Sequence, residues 1–493
     1  MTTTVADGPL SSRLRALCAR TAPLLEPGPA ADGLAAVTAR LGEPGLRLAV
    51  GGRVKAGKST LVNALLGHRL AATAATECTL LVTWFRDSFV NRVQVRHHDG
   101  RVVYVPGRPG GGVPDDPGDL GFPPGEIAEL VVEVPNENLA SGYTLVDTPG
   151  MDALSGLDAM SMAALARADA LLYVTPHPGE NDRDALEALR RKADRHITAL
   201  NVLGVLSRVD ELGDGTGDPW PRARKVAARY GERLSGVAAR VIPVVGLLAE
   251  TARGDHYSDA DTASLHRLAA AAPEDLDGAL YSADFFMSWD DAPITSTERE
   301  RLLGLLGRYG IATAVEAVQR GAASSAEILA DLRRHSGVDD LLDQIREHFG
   351  TRADRLRAAS AAALLEEVCA LGRGREETAA LTALRSQLTD LRRHPLMRQT
   401  ALATALVAMA SGALVLPDDD QGALVRLATG QDAAACLGLP PDAPSPAVCE
   451  AAGKEIRRWQ VHEWSDSRVV QRHAETAREV CEAFYFAAEE GIG

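Results

Sequence analysis

One short stretch, Gly52-Arg-Val-Lys-Ala-Gly-Lys-Ser59, constrains the fold of this chain more than any other. It fits the pattern G-x-x-x-x-G-K-[ST]. Apolar residues over 46–50 precede it, as in a buried strand, and residues 60–66 continue it as a helix. In such a strand–loop–helix unit, backbone N–H groups and the positive end of the helix surround phosphate oxygens. The stretch therefore predicts a nucleotide-binding α/β domain.

The residue types in this loop suit the parts of a nucleotide. Lys58 is expected to reach the β- and γ-phosphates, and the Ser59 hydroxyl is expected to bind Mg²⁺. The glycines let the backbone close around the phosphates. The loop residues that we predict to contact the nucleotide are Gly52, Gly57, Lys58, Ser59 and Thr60.

A threonine-rich loop follows the helix and leads into a predicted strand over 80–86. We expect Thr76 to complete the Mg²⁺ site with its hydroxyl and carbonyl when a γ-phosphate is bound, and Thr79 is the alternative. A threonine in a loop can also serve turn geometry alone. The position of the loop, between the phosphate-binding loop and the next strand, favours a switch threonine.

A D-x-x-G motif, Asp147-Thr-Pro-Gly150, ends the predicted strand over 143–146. At such a place the carboxylate of Asp147 comes near Mg²⁺ through water, and the N–H of Gly150 faces the γ-phosphate. The segment after the glycine can then respond to the third phosphate. We predict that Ser59, Thr76 and Asp147 surround the metal ion.

The stretch Ser207-Arg-Val-Asp210 follows a predicted strand over 200–206. A carboxylate there can accept both the ring N–H and the exocyclic amino group of guanine, a donor pair that adenine lacks. The usual pattern is [NT]-K-x-D, so Ser207 and Arg208 depart from it. Arginine can stack on a base as lysine packs against it. We therefore predict that Arg208 and Asp210 contact the base and favour GTP over ATP.

The pattern of the chain changes near residue 251. Before it, predicted strands and helices alternate, which is typical of an α/β fold. After it, apolar residues recur at helical spacing without strands. We predict an N-terminal helical arm over 1–43 that packs on the C-terminal helices, a GTPase domain over 44–250, and an all-helical bundle or stalk over 251–493.

Two local predictions concern the helical half. Thr297 and Glu300 have the spacing of a capping box. The apolar stretch 401–416 is shorter than the roughly 20 residues that cross a bilayer, and its leucines recur at helical spacing. We favour a buried bundle helix there over a membrane-inserted segment. The helices predicted after it cover 447–464 and 467–490.

Composition narrows the possible classes of protein. The 493 residues carry a formal net charge of -15, which argues against a nucleic-acid surface, because such surfaces need an excess of Lys and Arg. The six cysteines form no C-x-x-C pair, so we expect neither a zinc site nor disulfides. The first residues lack the cationic start and apolar core of a secretory signal. We expect the chain in the cytoplasm.

The motifs together resemble the bacterial dynamin-like GTPases. The interval between Lys58 and Asp147 is far longer than in small Ras-like GTPases, and a helical arm and a long helical region flank the domain. In the helical half, L-L-G-R-Y-G-I-A within 302–312 and H-S-G-V-D-D-L-L-D-Q-I over 335–345 are similar to the actinobacterial branch with the isoniazid-inducible and sporulation-septation dynamins. The resemblance implies an enlarged dynamin-type G domain with a helical stalk.

The resemblance also implies a function. It implies GTP hydrolysis stimulated by pairing of G domains, lipid binding at a stalk tip, and membrane remodelling. Because this branch is often encoded as side-by-side pairs, the implied partners are a second copy or a second dynamin-like chain, anionic lipid and division proteins. The implied location is the inner face of the plasma membrane, at the division septum. A GTP-dependent scaffold that never deforms lipid, and a translation or ribosome-assembly GTPase, are the alternatives.

The phosphate-binding loop departs from the dynamin pattern at two places. Many dynamins carry a polar pair there that positions water and holds a monovalent cation, whereas this chain has Val54 and Lys55. Val54 cannot orient water by hydrogen bonding. The ammonium group of Lys55 could take the place of the cation, which predicts a catalytic role for Lys55 and hydrolysis without K⁺ or Na⁺. The alternative is that Lys55 points into solvent.

The segment 392–398, Arg-Arg-His-Pro-Leu-Met-Arg, is a candidate lipid-facing tip. It combines cationic residues with two apolar ones at a break between helices, a composition that suits an anionic lipid surface. An ordinary solvated turn has a similar composition. The residues that would contact lipid head groups are Arg392, Arg393 and Arg398.

Overall fold

The computed structural model of the chain describes most of the sequence. The described residues are 9–43, 45–71, 81–107, 112, 117–140, 142–149, 157–179, 181–192, 198–212, 217–234, 237–392, 394–410, 412–430 and 432–489.

A mixed β-sheet forms the centre of the first half. Within the described residues its strands are β1 Leu46–Gly52, β2 Thr83–Asp87, β3 Arg92–His97, β4 Val102–Pro106, β5 Ile127–Val134, β6 Tyr143–Asp147, β7 Ala170–Thr175, β8 Val202–Leu206 and β9 Arg240–Pro243. Their order across the sheet is β4-β3-β5-β2-β6-β1-β7-β8-β9. Strands β6, β1, β7, β8 and β9 run parallel, and β2 joins this group antiparallel to β6.

The sheet sets the position of the site. Every residue of β7 and β8 is buried, because helices cover both faces of this parallel part of the sheet. Val50 of β1 pairs with Asp147 of β6, so the phosphate-binding loop and the D-x-x-G motif leave the sheet at the same edge. Ligands of open α/β sheets bind at this carboxyl edge.

Helices make up the rest of the described chain. They are α1 Pro9–Thr21, α2 Pro29–Gly42, α3 Lys58–Leu66, α4 Glu137–Ala140, α5 Leu157–Ala166, α6 Asn181–Lys192, α7 Trp220–Arg233, α8 Gly246–Arg253, α9 Asp259–Ala269, α10 Pro273–Ala279, α11 Ala283–Met287, α12 Ser296–Gln319, α13 Ser325–Arg334, α14 Val338–His348, α15 Ala353–Val368, α16 Arg375–Arg392, α17 Pro395–Arg398, α18 Ala403–Ala410, α19 Asp418–Thr429, α20 Ala433–Leu437, α21 Ser445–His462 and α22 Arg468–Glu489. None of the helices of the described chain is both long and apolar enough to cross a membrane.

The apolar core does not divide at residue 250, where the sequence places a domain boundary. Leu265 of α9, Leu302 of α12 and Leu332 of α13 belong to the same core as Leu206 of β8 and Tyr230 of α7. Helices α9 to α13 therefore extend the GTPase core. The change from strands to helices near residue 251 is a change of secondary structure only, and the apolar core continues across it.

The N-terminal arm and the last helices belong to two other cores. Helices α1 and α2 pack on α15 and α16, with Leu14, Leu34 and Leu365 buried between them. Helices α18 to α22 form a separate core around Trp459 and Phe484. The division into arm, GTPase domain and stalk stays a proposal.

Local predictions in the helical half need three corrections. The capping box is formed by Thr295 and Glu298, two residues before the predicted Thr297 and Glu300. The apolar stretch 401–416 is no single helix, because α18 ends at Ala410. Helices α19 and α20 lie where no helix was predicted.

Three described residues of segment 392–398 contact neighbouring helices, which a free lipid-facing tip would not do. Met397 is buried in the core of α1, α2, α15 and α16. Arg392 pairs with Glu366 at 2.8 Å, and Arg398 lies 3.6 Å from Glu479 of α22. The short helix α17 thus joins two helical cores, which its composition does not reveal. Arg393 lies outside the described residues.

Candidate nucleotide-binding site

The phosphate-binding loop has the backbone geometry that its glycines allow. Gly52 has φ 145, and a Cβ atom there would lie 2.1 Å from the Val174 carbonyl oxygen. Gly57 has φ 85, in the left-handed region that favours glycine, and directly precedes α3. A Cβ atom at Gly57 would meet nothing within 4 Å, so the loop is open at the N-terminus of α3. That opening is where helix N–H groups bind phosphate.

The predicted phosphate and metal residues meet in front of this loop. Lys58 is buried, and its Nζ donates to the Arg53 carbonyl oxygen at 3.0 Å. The Ser59 hydroxyl donates to Asp147 Oδ2 at 2.8 Å. Thr148 Oγ1 donates to the Val50 carbonyl oxygen at 2.8 Å and so fastens the D-x-x-G segment to β1. The structure thus brings one cationic and two oxygen-bearing side chains to the edge of the sheet.

The base-side loop is fastened to the phosphate-binding loop. The Ser207 hydroxyl donates to the Ala56 carbonyl oxygen at 2.7 Å. Arg208 Nη2 donates to the Lys55 carbonyl oxygen at 3.0 Å. Ser207 and Arg208, which depart from the usual pattern, therefore hold the two nucleotide loops together.

A cavity of about 260 Å³ lies between these loops. Its lining includes Gly57 and Thr60 on the phosphate side and Arg208 and Asp210 on the other. Burial raises the pKa of the Asp210 carboxyl group, so the carboxylate is partly stripped of water. A desolvated carboxylate gains most from N–H donors that a ligand brings.

The remaining predicted residues divide into two groups. Lys55 is exposed with φ 58, in the left-handed region, and Val54 is half-buried. The exposed side chain fits the alternative of a solvent-facing Lys55 as well as a catalytic one. Thr76, Thr79 and Gly150 lie outside the described residues.

The sequence predicts Gly246-Leu-Leu as the last base-contacting loop, with backbone groups only, and Gly246 and Leu247 do line the cavity. Sequence reasoning did not assign Glu211 and Val244 to the site. Glu211 pairs with Arg208 at 3.0 Å, and Val244 also lines the cavity. Gly246 begins α8, and its Cβ position lies 3.6 Å from Thr60 Cγ2. The signal that indicates Gly246 and Leu247 is their place after β9, at the same edge of the sheet.

The residues present fit a guanine nucleotide with Mg²⁺. The hydroxyl of Ser59 and the carboxylate of Asp147 are the oxygen ligands that Mg²⁺ prefers, directly or through water. Phosphates would supply its other ligands. Asp210 lines the cavity at a distance from the metal pair along the sheet edge, as a base-binding group must.

Comparisons with known proteins agree with this geometry. The family described as 50S ribosome-binding GTPase matches residues 47–202. The isoniazid-induced protein IniC of Mycobacterium tuberculosis is 33% identical over 448 residues, which cover 87% of this chain and 88% of IniC. A bacterial dynamin-like protein of Nostoc punctiforme is 27% identical over 139 residues, 26% of this chain and 20% of that protein. A solved structure of an oligomerised bacterial dynamin pair has 12% identity and a TM-score of 0.33, covering 78% of this chain and 76% of the other.

The fold and the site define a P-loop GTPase with a large helical region, and the predicted α/β fold class is confirmed. Because its likeness to IniC spans most of both chains, the chain belongs to the bacterial dynamin-like GTPases. The resemblance predicted from the motifs is confirmed, and so is a GTP-hydrolysing enzyme.

Proposed function

We propose that this dynamin-like GTPase cleaves GTP to GDP and phosphate with Mg²⁺ at the site described above and couples the reaction to membrane remodelling. The observation that carries the catalytic part is the meeting of Lys58, Ser59 and Asp147 at the sheet edge, beside a cavity lined by Asp210.

Each group has a defined part in this proposal. Lys58 and the N–H groups at the start of α3 would offset the negative charge that develops on the phosphates. Ser59 and Asp147 would hold Mg²⁺, which would supply further charge neutralisation. Thr76 and Gly150 would close on the γ-phosphate and report its presence. Because phosphoryl transfer depends on positioning and charge, removal of Lys58 should abolish most of the rate.

The rate per molecule tests this proposal. We expect it to rise with protein concentration, because pairing of G domains stimulates hydrolysis, and to rise again with vesicles. Lys58→Ala should lower the rate by at least about a hundredfold, the scale on which single charge-stabilising groups act. Turnover of ATP in preference to GTP would contradict the proposal, and a rate independent of concentration would favour a solitary switch.

Lys55 gives the reaction a second testable feature. Its ammonium group can lie where other dynamins hold a monovalent cation, since the residue belongs to the loop itself. We expect turnover to persist when K⁺ is replaced by a bulky organic cation, and Lys55→Ala to lower kcat more than nucleotide affinity. Collapse of the native rate without K⁺ would rule out this role for Lys55.

Because segment 392–398 packs against other helices, we propose another surface for contact with the membrane. Trp464 is 88% exposed after the end of α21, and Val461 on that helix is 72% exposed. Val415, 75% exposed, lies before α19. His462 Nε2 lies 2.8 Å from Asp420 Oδ2, which joins the end of α21 to the start of α19. The three apolar side chains therefore lie at one end of the last helical core.

This end of the core, which we call the α19–α21 tip, suits insertion at a bilayer surface. Tryptophan is the side chain that membrane–water interfaces favour, with the valines beside it supplying apolar area. The exposed carboxylates of Asp418, Asp419 and Asp466 lie close to the tip along the chain and outnumber the exposed Arg468, so we expect little attraction of the tip for anionic head groups. Apolar insertion should therefore dominate over charge.

Vesicle sedimentation tests the tip. The native chain should pellet with phosphatidylcholine vesicles, with or without phosphatidylglycerol. Trp464→Ser should lose most of this binding, while the GTPase rate without vesicles stays unchanged. Phe89→Ser is the matched control, because Phe89 is 99% exposed in the turn between β2 and β3, far along the chain. Equal pelleting of both variants would exclude the tip.

The partner and location extend the same proposal. The family resemblance supports a second copy or a second dynamin-like chain as partner, at the inner face of the plasma membrane and at the division septum. A fluorescent fusion should concentrate there and disperse in Trp464→Ser. Active GTPase without any vesicle binding would favour the alternative of a GTP-dependent scaffold.

A further inference from the structure

Helix α12 bends sharply beside the base-side loop. Gly307 within it has φ 62 and ψ -179. This combination is essentially restricted to glycine, because a Cβ atom would clash with the adjoining backbone. The helix therefore runs as two segments, Ser296–Leu306 and Arg308–Gln319, with Gly307 as the break. The bend belongs to L-L-G-R-Y-G-I-A, for which the catalytic proposal gives no role.

The bend places bare backbone against the base-binding carboxylate. A Cβ atom at Gly307 would lie 3.8 Å from Asp210 Oδ2 and 3.6 Å from Leu247 Cδ2. Asp210 and Leu247 both line the cavity. Gly307 thus lies directly behind two residues of the cavity wall and outside the cavity itself.

Two further contacts fix α12 in this place. A Cβ atom at Gly310 would lie 2.7 Å from Leu248 Cδ1, so α12 and α8 approach closely and a side chain there would displace Leu248. The hydroxyl of Thr251 in α8 donates to the Leu305 carbonyl oxygen. Since α8 begins at Gly246 in the cavity wall, α12 is tied to that wall from both sides of the bend.

Charge connects the same helix with Asp210. Arg308 follows the bend, and its Nη1 donates to the Leu280 carbonyl oxygen at 3.1 Å. Its guanidinium group is among the cations whose charge acts on the Asp210 carboxyl group. The bent helix therefore meets Asp210 with an unhindered backbone and an adjacent positive charge.

We propose that Gly307 is a positioning residue for guanine recognition: the bend that only glycine permits sets α12 against the Asp210 carboxylate and holds it in the orientation that accepts two N–H donors from the base. This rests on the proposed role of Asp210. It makes α12, a helix of the second half, part of the specificity of the nucleotide site.

The affinity ratio of GDP to IDP is the measurement that separates positioning from general stability. IDP lacks the exocyclic amino group, so the ratio reports the second hydrogen bond to Asp210. Gly307→Ala should lower this ratio about tenfold, as expected for one lost hydrogen bond to a charged group. Gly304→Ala is the matched control, since Gly304 lies in the same helix, is exposed, and has nothing within 4 Å of its Cβ position. Its ratio should equal the native one.

Two outcomes would overturn the inference. If Gly307→Ala weakened GDP and IDP equally, the bend would serve folding alone. If Asp210→Asn collapsed the ratio while Gly307→Ala left it native, Asp210 would read the base without help from Gly307. A native ratio in Asp210→Asn would instead refute the proposed role of Asp210 itself. On the Asp210→Asn background, Gly307→Ala should change the ratio no further.

Hydrogen exchange on the native chain keeps the test independent of whether the variant folds. GDP should slow exchange at the backbone amides of residues 307–310 more than IDP does, with both ligands saturating. Equal protection by the two nucleotides would contradict the inference.

Discussion

Two of the contacts between the G domain and helices outside residues 44–250 differ in their physical basis. Helices α9 to α13 share one apolar core with the sheet, and we call this contact the apolar junction. At the start of β7 the contact is made by buried charge: Arg40 of α2 donates to Asp169, before β7, and to Ser360 of α15. We call this contact the charged junction. Leu356 of α15 adds an apolar contact with the strands. The stability of the apolar junction depends on the apolar area that it buries. The stability of the charged junction depends on the relative positions of its charged groups.

This difference decides which parts of the chain are expected to unfold together. Apolar packing is non-directional and spread over many side chains, so α9 to α13 are expected to unfold with the sheet. A buried ion pair is worth keeping only with all partners in place, because stripping water from the charges costs several kcal/mol per ion. Burial alone would raise the pKa of Asp169, but Arg40 and the Arg47 N–H outweigh it and hold that pKa below its ordinary value. The charged junction therefore stabilises the fold only when both charges are present, because one buried charge without its partner lowers the free energy of unfolding.

Loss of one charge at the charged junction should have the largest effect. Asp169→Leu leaves the Arg40 guanidinium buried without its carboxylate, and we expect the free energy of unfolding to fall by about 3–5 kcal/mol. Denaturant unfolding of the purified chain measures it. The double variant Arg40→Met, Asp169→Leu removes both charges and should recover most of the loss. A single variant as stable as the double one would remove the contrast between the junctions.

A cavity in the apolar junction should lower the free energy of unfolding slightly less than the loss of one charge at the charged junction. Its effect should extend over more of the chain. Leu302 of α12 is fully buried, and Leu302→Ala should lower stability by about 3 kcal/mol. Because the core is shared, hydrogen exchange should accelerate in β8 together with α12. Leu24→Ala is the control, since Leu24 is 60% exposed. Faster exchange confined to α12 would mean that the helices do not belong to the G-domain core.

The sequence predicts those parts of the architecture that depend only on local residue patterns and motif spacing. The predicted strands over 143–146 and 200–206 correspond to β6 and β8, within two residues at each end. Lys58, Ser59 and Asp147 could be placed together because parallel strands end at one edge of a sheet. Periodicity and motif spacing are properties of the chain itself, so no tertiary contact is needed to find them.

The sequence fails where tertiary contact decides. Nothing in the run of helices after residue 250 shows that α9 to α13 join the core of the sheet. The cationic and apolar residues at the helix break over 392–398 predict a lipid-facing tip, yet Met397 is buried between helices. Gly307 reads as an ordinary glycine in a helix, although it lies behind Asp210. In each case the partner lies far away along the chain.

A contact between α14 and the turn before β8 offers a pH-dependent comparison. His348 of α14 donates from Nε2 to the Leu200 carbonyl oxygen at 2.9 Å. Burial lowers the pKa of His348 to about 4, and Arg352 adds to the shift. Because the unfolded chain binds this proton near pH 6.5, stability is lost as pH falls from there toward 4.

The expected loss at about pH 5 is about 2 kcal/mol relative to neutral pH. His348→Gln removes the titrating group, so its unfolding free energy should depend less on pH by that amount. His98→Gln, at an exposed histidine, should keep the native pH dependence. If both variants behaved alike, the acid sensitivity would lie elsewhere, with the carboxylate of the charged junction as the next group to examine.

The smallest effect should come from the cap of α12, which belongs to the apolar junction but is itself exposed. The sequence Thr-Ser-Thr-Glu-Arg-Glu over 295–300 contains two overlapping capping boxes, and only tertiary contact chooses between them. Ile294 is 4% exposed within the G-domain core, so the residue after it becomes the cap, and Glu298 Oε2 accepts from the Thr295 N–H at 2.8 Å.

Thr295→Ala should therefore lower stability by about 1 kcal/mol, the usual cost of a lost cap. Thr297→Ala, in the box that the sequence favoured, should be neutral, since Thr297 is exposed within the first turn. Denaturant midpoints of the two variants, measured side by side, decide the matter. A larger loss in Thr297→Ala would place the start of α12 two residues later and would weaken the argument that burial of Ile294 at the apolar junction sets where this helix begins.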